Sequence, residues 1–281
     1  MLEEYLPLAK LTIDFFRQHY RNRTADGKMV IWPTQSLETY WCSPWDVNGS
    51  RPPADCCVDD MPTVGAMYAL LEKMRRLPQR FASPAEQKQW AAFQAILPPL
   101  PTNATHLLPA AVFPNVSHNS ETPEMYAVHP WRLFSVGRKL TSGTNLSKAI
   151  TSFSTDPQAF SPNANAGWCQ GVMQAALLGL PTQAWNLVLG RAETGPSEGL
   201  RFPGFAPPVQ DSEPSADHFA NMNNGLQLML LQPADDADLG AILFGAWPCA
   251  WDVDFKLAAP GNTTVEVLFF FLLDLIPRHF V

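Results

Sequence analysis

The sequence predicts a mainly α-helical fold, an α/α toroid of helical hairpins, with a short β segment near the C-terminus. Apolar residues recur at helical spacing in successive segments, first at residues 8–16 and 64–74. Most of the 27 prolines lie between these segments, in long connections that also carry aromatic and acidic residues. Such long connections in compact domains are usually functional or disordered. Paired helices with long loops are typical of a toroid whose loops line a cleft.

The periodic segments predict amphipathic helices. The first two place their apolar residues on one face, which we expect to lie in the core: Leu8, Leu11, Phe15 and Phe16, then Val64, Met67, Tyr68, Leu71 and Met74. Pro181 stands where a first helical turn tolerates proline, so residues 168–180 and 181–189 are predicted to form a helical hairpin. Residues 219–230 predict a further helix, and the acids before it suit the positive end of its dipole.

The pattern changes near the C-terminus. Residues 246–270 are rich in Trp, Val, Thr and Phe, and residues 264–269 alternate between two faces. This period of two predicts a strand. We place a domain boundary near Pro260, with a helical domain at residues 1–260 and the start of a C-terminal β segment at 261–281.

Composition and charge exclude several classes of protein. The 281 residues are 46% hydrophobic, enough to bury a substantial core. With 19 basic and 26 acidic residues and no basic stripe, the chain offers no surface for nucleic acid. The longest apolar run, residues 265–276, contains two acids and is shorter than the roughly 20 residues of a membrane-spanning helix. No CxxC pair supports a zinc site, and we expect no cofactor.

Two features predict a secreted or lumenal compartment, although the first residues carry acids where a signal peptide carries a basic region. One is a set of six Asn-x-Ser/Thr sequons, at Asn22, Asn48, Asn103, Asn115, Asn145 and Asn262. The other is the set of five cysteines. Cys42 can pair with Cys56 or Cys57 in an oxidising compartment, and buried free thiols are the alternative.

Glycoside hydrolysis needs a carboxylic acid that protonates the leaving oxygen, so acids inside aromatic loops are the first candidates. Glu38 is followed by Tyr40 and Trp41 and preceded by Trp32. Apolar rings beside a carboxyl group disfavour its ionised form, as a general acid at neutral pH requires. The alternative interpretation of Glu38 is a helix-capping residue.

Two further clusters carry polar and aromatic residues together. In residues 121–132, rings suited to stacking on a sugar stand beside groups that can donate to or accept from its hydroxyls: Glu124, Tyr126, His129, Trp131 and Arg132. A single histidine is more often structural than catalytic. In an extended segment, Asp252, Asp254 and Lys256 would share one face, and one of these acids can serve as a base. An alternating acid and base ladder is equally typical of a solvated strand face.

Five motifs occur in order along the chain: Pro-Thr-Gln-Ser-Leu-Glu-Thr-Tyr at 33–40, Pro-Glu-Met-Tyr-Ala-Val-His-Pro-Trp-Arg at 123–132, Ala-Gly-Trp-Cys-Gln at 166–170, Arg-Phe-Pro-Gly-Phe at 201–205, and residues 251–267. Together they resemble the family-95, fucosidase-type glycoside hydrolases. The resemblance implies an (α/α)6 barrel and inverting hydrolysis of α-L-fucosides or α-galactosides. Because such a barrel is longer than this chain, we expect a part of it, with the N-terminal portion missing and the C-terminal β segment truncated.

The resemblance also implies site residues. Glu38 matches the family's general acid, and Glu266 is the base-side candidate. The family's asparagine pair would fall before Met1, and Tyr126 stands where a first histidine of its His-Arg-His stretch is found. The remaining candidates are predicted to bind an oligosaccharide or polysaccharide substrate: Trp41, Glu124, Tyr126, His129, Trp131, Arg132, Trp168, Asp252 and Asp254.

Two other functions share this fold. One is a catalytically inactive carbohydrate-binding relative. The other is a polysaccharide lyase, for which Tyr126, His129 and Arg132 would supply the base and the cation. The hydrolase prediction further requires that Glu38, Trp131 and Trp168 face one cleft, that Glu38 approaches Glu266, Asp252 or Asp254 across it, and that the chain exposes an apolar flank.

Overall fold

The computed structural model of the chain describes residues 2–42, 56–155, 169–193, 216–234 and 240–269. Two compact units divide the chain, Met1–Leu133 and Phe134–Val281, and each is described by itself. In the described ranges, helix dominates, with eight α-helices and three small antiparallel sheets of two strands each. The mainly α-helical prediction agrees with this composition at the level of secondary structure. None of these helices is both long enough and apolar enough to cross a membrane.

The first unit contains three α-helices, two short strands and a 3-10 helix. In chain order they are α1 (Leu2–His19), β1 (Val58–Asp60), α2 (Met61–Arg75), α3 (Pro84–Ile96), β2 (Ala110–Val112) and the 3-10 helix Pro123–Ala127. The start of α2 is fixed by Asp60, whose carboxylate accepts the backbone N–H of Thr63 at 2.9 Å. The start of α3 is a capping box formed by Ser83 and Glu86. Strands β1 and β2 pair antiparallel.

The core of the first unit lies between α1, α2 and α3. The face predicted for α2 is confirmed, because Val64, Met67, Leu71 and Met74 are buried and Tyr68 is partly buried. The face predicted for α1 was wrong. That helix buries Leu6 and Ile13 and packs Phe16 against the core.

The opposite side of α1 is an apolar surface. Tyr5, Leu8, Leu11 and Phe15 are each more than half exposed. Since α1 carries apolar residues on most of its circumference, its period alone does not decide which side packs. These exposed residues of α1 form an apolar flank of the kind that we predicted.

The second unit contains the remaining helices and strands. They are α4 (Val136–Ser142), α5 (Ser147–Thr155), α6 (Gly171–Leu178), α7 (Pro181–Glu193), α8 (Ala216–Leu230), β3 (Leu231–Pro233), β4 (Ala241–Leu243), β5 (Val253–Ala259) and β6 (Thr263–Phe269). The predicted hairpin of α6 and α7 is confirmed. Gly179 ends α6 in the left-handed conformation, with φ of 72°, and Pro181 begins α7. Every residue of α6 is buried, and Gly225 of α8 packs directly on Val172.

Strands β5 and β6 form a hairpin in which Val253 pairs with Phe269 and Ala259 with Thr263. The strand prediction for residues 264–269 is confirmed. The inward side chains pack against the end of α8, where Leu230 and Leu231 form a small core with Phe255. The boundary predicted after residue 260 falls in the turn of this hairpin. The strands before and after residue 260 pair with each other. The domain boundary near Pro260 stays a prediction.

Candidate functional site

Glu38 lies at the tip of a tight turn formed by residues 36–40, here called the Glu38 turn. Ser36 and Tyr40 exchange both backbone hydrogen bonds at 3.1 Å, which closes the turn. Leu37 takes up the left-handed conformation, with φ of 53°, a strained geometry for a branched residue. The Ser36 hydroxyl is fully buried and donates to the carbonyl of Pro109 at 3.0 Å. The turn is thus fixed at its base, and Glu38 is exposed at its tip.

The base of the turn is also connected to α2. The hydroxyl of Thr34 donates to Oδ2 of Asp60 at 2.6 Å, and Oδ1 of Asp60 caps α2. Asp60 is fully buried, and burial raises its pKa although both hydrogen bonds favour the charged form. These contacts make Asp60 a structural residue that holds the Glu38 segment to the helix.

A second segment, residues 118–121, packs along the turn. The backbone N–H of His118 donates to the carbonyl of Thr39 at 2.9 Å, and the Thr39 hydroxyl donates to the carbonyl of Glu121 at 3.2 Å. The Asn119 amide donates to Oε2 of Glu38 at 3.0 Å. The structure therefore brings together the Glu38 cluster and the beginning of the cluster at 121–132, which are about eighty positions apart.

An open aromatic face adjoins these polar groups. Trp41 stacks on the imidazole of His118, with ring centroids 4.4 Å apart and planes inclined by 9°. Trp41 remains 52% exposed, so its outer face is available for contact. Large exposed rings beside carboxyl and amide groups are typical of sites that stack a sugar and bind its hydroxyls.

The sheltered carboxyl group of this site is Glu121, not Glu38. Burial raises the pKa of Glu121, the nearby backbone amide of Glu38 lowers it, and the negative charge of Glu38 raises it. Of the rings that we predicted around Glu38, Trp41 stacks on His118 and Tyr40 packs on Phe113. Glu121 is therefore the more sheltered of the two carboxyl groups.

The 3-10 helix and the residues after it hold the other candidates of the first unit. Glu124, Tyr126, His129, Trp131 and Arg132 are all half-buried. Trp131 packs on α2, where a Cβ atom at Gly65 would lie 2.9 Å from the indole ring. Burial, with a smaller effect of the Arg132 charge, lowers the pKa of His129 to about 4. His129 is accordingly a neutral imidazole at neutral pH.

The C-terminal candidates lie on the hairpin of the second unit. Asp252 and Asp254 are exposed, and Asp254 and Lys256 share the outward face, as predicted for an extended segment. Glu266 pairs with Lys256 across the hairpin, with Nζ and Oε2 3.0 Å apart and both side chains about two-thirds exposed. This geometry matches the solvated strand face that was the alternative interpretation. The approach of Glu38 to these acids stays a prediction, and Trp168 lies outside the described residues.

A disulfide links Cys42, at the end of the Glu38 segment, to Cys56, two residues before β1. This is one of the two pairings that the sequence left open. Cys57 is a buried thiol, and burial raises its pKa to about 11, so it is un-ionised at neutral pH. The disulfide closes a separation of 14 residues beside the site.

Sequence reasoning missed His118 and Asn119, and it did not single out Glu121 although that residue begins the second cluster. The sequence pattern that could have identified them is weak, because isolated polar residues in a loop have no period.

No protein-family model matches the chain, and no curated protein matches it.

Proposed function

We propose that the chain is a glycoside hydrolase that cleaves α-L-fucoside or α-galactoside-like bonds by an inverting acid/base mechanism. The observation that carries this proposal is the cluster at the Glu38 turn, where an exposed carboxyl group, an amide and an open tryptophan face lie side by side. Hydrolysis requires these parts, since the ring positions the sugar and a carboxyl group transfers the proton. The ordered motifs that resemble family-95 enzymes supply the sugar class and the proposed (α/α)6 toroid.

In this proposal the substrate is an oligosaccharide or polysaccharide. One pyranose ring stacks on Trp41, and its hydroxyls donate to Glu38 or accept from Asn119. Five half-buried residues of the first unit are the further proposed binding residues: Glu124, Tyr126, His129, Trp131 and Arg132. The resemblance assigns the acid to Glu38 and the base side to Glu266, with Trp168, Asp252 and Asp254 as further binding residues.

The test is hydrolysis by the intact chain and by Glu38→Gln. Release of the free sugar from methyl α-L-fucoside and methyl α-galactoside is measured for both proteins, because an alkoxide leaving group needs the proton of the acid. General acid or base catalysis contributes about a hundredfold or more, so we expect at least that loss in the variant. Glu4→Gln, an exposed glutamate on α1, is the matched control and should keep full activity. Equal rates in all three proteins would refute the role of Glu38.

A carbohydrate-binding protein without catalysis is the second candidate, and the exposed Trp41 face favours it, because stacking requires no proton transfer. Binding of fucosylated and galactosylated oligosaccharides by calorimetry separates the two functions. Binding that Trp41→Ala abolishes, with no hydrolysis by the intact chain, would establish the binding function. Hydrolysis that depends on Glu38 would establish the enzyme.

We also propose that the protein works in a secreted or lumenal compartment. The disulfide between Cys42 and Cys56 suits an oxidising environment. The sequons in the described ranges all present an exposed asparagine, so the folded chain can carry a glycan at each: Asn22, Asn103, Asn115, Asn145 and Asn262.

A further inference from the structure

The exposed indole of Trp41 is held in place at its backbone and on one face. The residues on both sides of it are fixed, because Tyr40 closes the Glu38 turn and Cys42 belongs to the disulfide. The indole itself stacks on the imidazole of His118, with ring centroids 4.4 Å apart and planes inclined by 9°. Trp41 is nevertheless 52% exposed, so a large ring with a fixed orientation is presented to solvent.

The imidazole that supports this ring extends from a fixed backbone. The N–H of His118 donates to the carbonyl of Thr39 at 2.9 Å. The side chain of the next residue, Asn119, donates to Oε2 of Glu38 at 3.0 Å, and its Oδ1 accepts the backbone N–H of Ser120 at 2.6 Å. These hydrogen bonds attach the His118 segment to the Glu38 turn without the help of the stacked rings.

We propose that His118 is a positioning residue that holds the Trp41 indole in the orientation in which a pyranose ring stacks on it. The inference rests on the proposed binding of a sugar at Trp41, which the hydrolase and the carbohydrate-binding protein have in common. With one face of the indole covered by the imidazole, the opposite face is left for the sugar. A side chain that is already held in place loses less conformational entropy when a ligand binds.

The stacked geometry also decides what kind of side chain this role requires. The imidazole lies flat against the indole, so His118 supports Trp41 through its ring face. Another flat ring can do the same, whereas a role as proton donor or hydrogen-bond partner would require the ring nitrogens. His118→Phe should therefore preserve the function, and His118→Ala should not.

The first test is the effect of these variants on KM and kcat. The substrates are methyl α-L-fucoside and methyl α-galactoside, and Kd from an NMR titration replaces KM if the chain binds them without cleavage. His118→Ala should raise KM or Kd by about twofold to tenfold, the contribution of one aromatic pair, and leave kcat nearly unchanged. His118→Phe should keep both values. His19→Ala is the matched control, because His19 is an exposed histidine that stacks on Phe15 of α1.

A double-variant cycle tests whether His118 acts through Trp41. The background is Trp41→Leu, which keeps an apolar side chain but removes the stacked ring. In that background His118→Ala should have no further effect on kcat/KM or Kd, since the two changes disrupt the same contact. If His118→Ala costs the same factor in both backgrounds, His118 acts independently of Trp41 and the inference is overturned.

A readout without sugar follows the indole directly. In the chain labelled with 5-fluorotryptophan, the fluorine resonance of Trp41 is the one that is missing from Trp41→Phe. We expect this resonance to move towards its position in the unfolded chain in His118→Ala, because the ring loses its stacked neighbour, and to stay displaced from it in His118→Phe. An unchanged resonance in His118→Ala would overturn the inference.

The outcomes separate this inference from the proposed function. If Trp41→Ala abolishes binding or hydrolysis while His118→Ala changes neither KM nor Kd, Trp41 binds the sugar without a positioning residue, and the inference alone fails. If His118→Phe is as impaired as His118→Ala, the ring nitrogens are required and the positioning role is wrong. If the intact chain neither cleaves nor binds either methyl glycoside, the proposed function and the role of His118 in it are both overturned.

Discussion

The neutral imidazole of His129 makes the stability of the first unit depend on pH. Its pKa is about 4 in the folded chain because of burial and the Arg132 charge, against about 6.5 in an unfolded chain. As the pH falls below about 6.5, the unfolded state binds a proton that the folded state does not. Above pH 6.5 the His129 ring is neutral in both states and does not lower the free energy of unfolding. As the pH falls from 6.5 towards 4, protonation of the unfolded state lowers that free energy.

The magnitude follows from these two values. At pH 5 the His129 imidazole is about 97% protonated in the unfolded chain and about 10% protonated in the folded chain. This difference lowers the free energy of unfolding by about 2 kcal/mol at pH 5 relative to pH 7. His129→Gln removes this loss because glutamine does not titrate. The raised pKa values of Asp59, Asp60 and Glu121 act in the opposite direction, but they are common to both proteins.

Urea denaturation at pH 7 and pH 5 measures the effect. The intact chain should lose about 2 kcal/mol more of its free energy of unfolding between these pH values than His129→Gln does. An NMR titration gives a direct check, since the His129 ring should not titrate above pH 5. Equal pH dependence in the two proteins, or a His129 ring that titrates near pH 6.5, would refute the reasoning.

Two further predictions concern the disulfide and the sequons. Cys42→Ser with Cys56→Ser should lower the free energy of unfolding by about 3 kcal/mol, because a cross-link over 14 residues restricts the unfolded chain. Cys249→Ser, at an exposed thiol, is the control, and an unchanged denaturation midpoint in the double variant would contradict the pairing. Expressed through the secretory pathway of a eukaryotic cell, the chain should carry N-linked glycans, and mass spectrometry after enzymatic deglycosylation should find converted asparagines among the exposed sequons: Asn22, Asn103, Asn115, Asn145 and Asn262. Unmodified asparagine at all five positions would contradict the compartment.

The parts of the fold that depend on local pattern could be predicted from the sequence. Residues 64–74 have one apolar face, and that face is buried in α2. Proline at position 181 marks the start of α7, and the alternation at 264–269 becomes β6. For α1 the pattern failed, because apolar residues on most sides of a helix leave the packed side undetermined.

The candidate site was predictable only in part. Glu38 and Trp41 stood out because a carboxyl group and large rings share one short loop. Their partners did not, because the hydrogen bond from Asn119 to Glu38 spans 81 positions and leaves no trace in either segment alone. Glu266 illustrates the reverse case, since its ion pair with Lys256 follows from local strand register.

The Glu38 turn is held by contacts with residues far away in the sequence, which affects when it forms during folding. Residues 36–40 take their shape from the carbonyl of Pro109 and from the segment 118–121, so the turn reaches its final geometry only after some seventy to eighty intervening residues have been brought into place. Contacts of such sequence separation form slowly, because the chain must lose loop entropy before they stabilise it. A short peptide that spans the Glu38 turn would therefore lack the site, and a fragment needs residues up to at least 121 to assemble it.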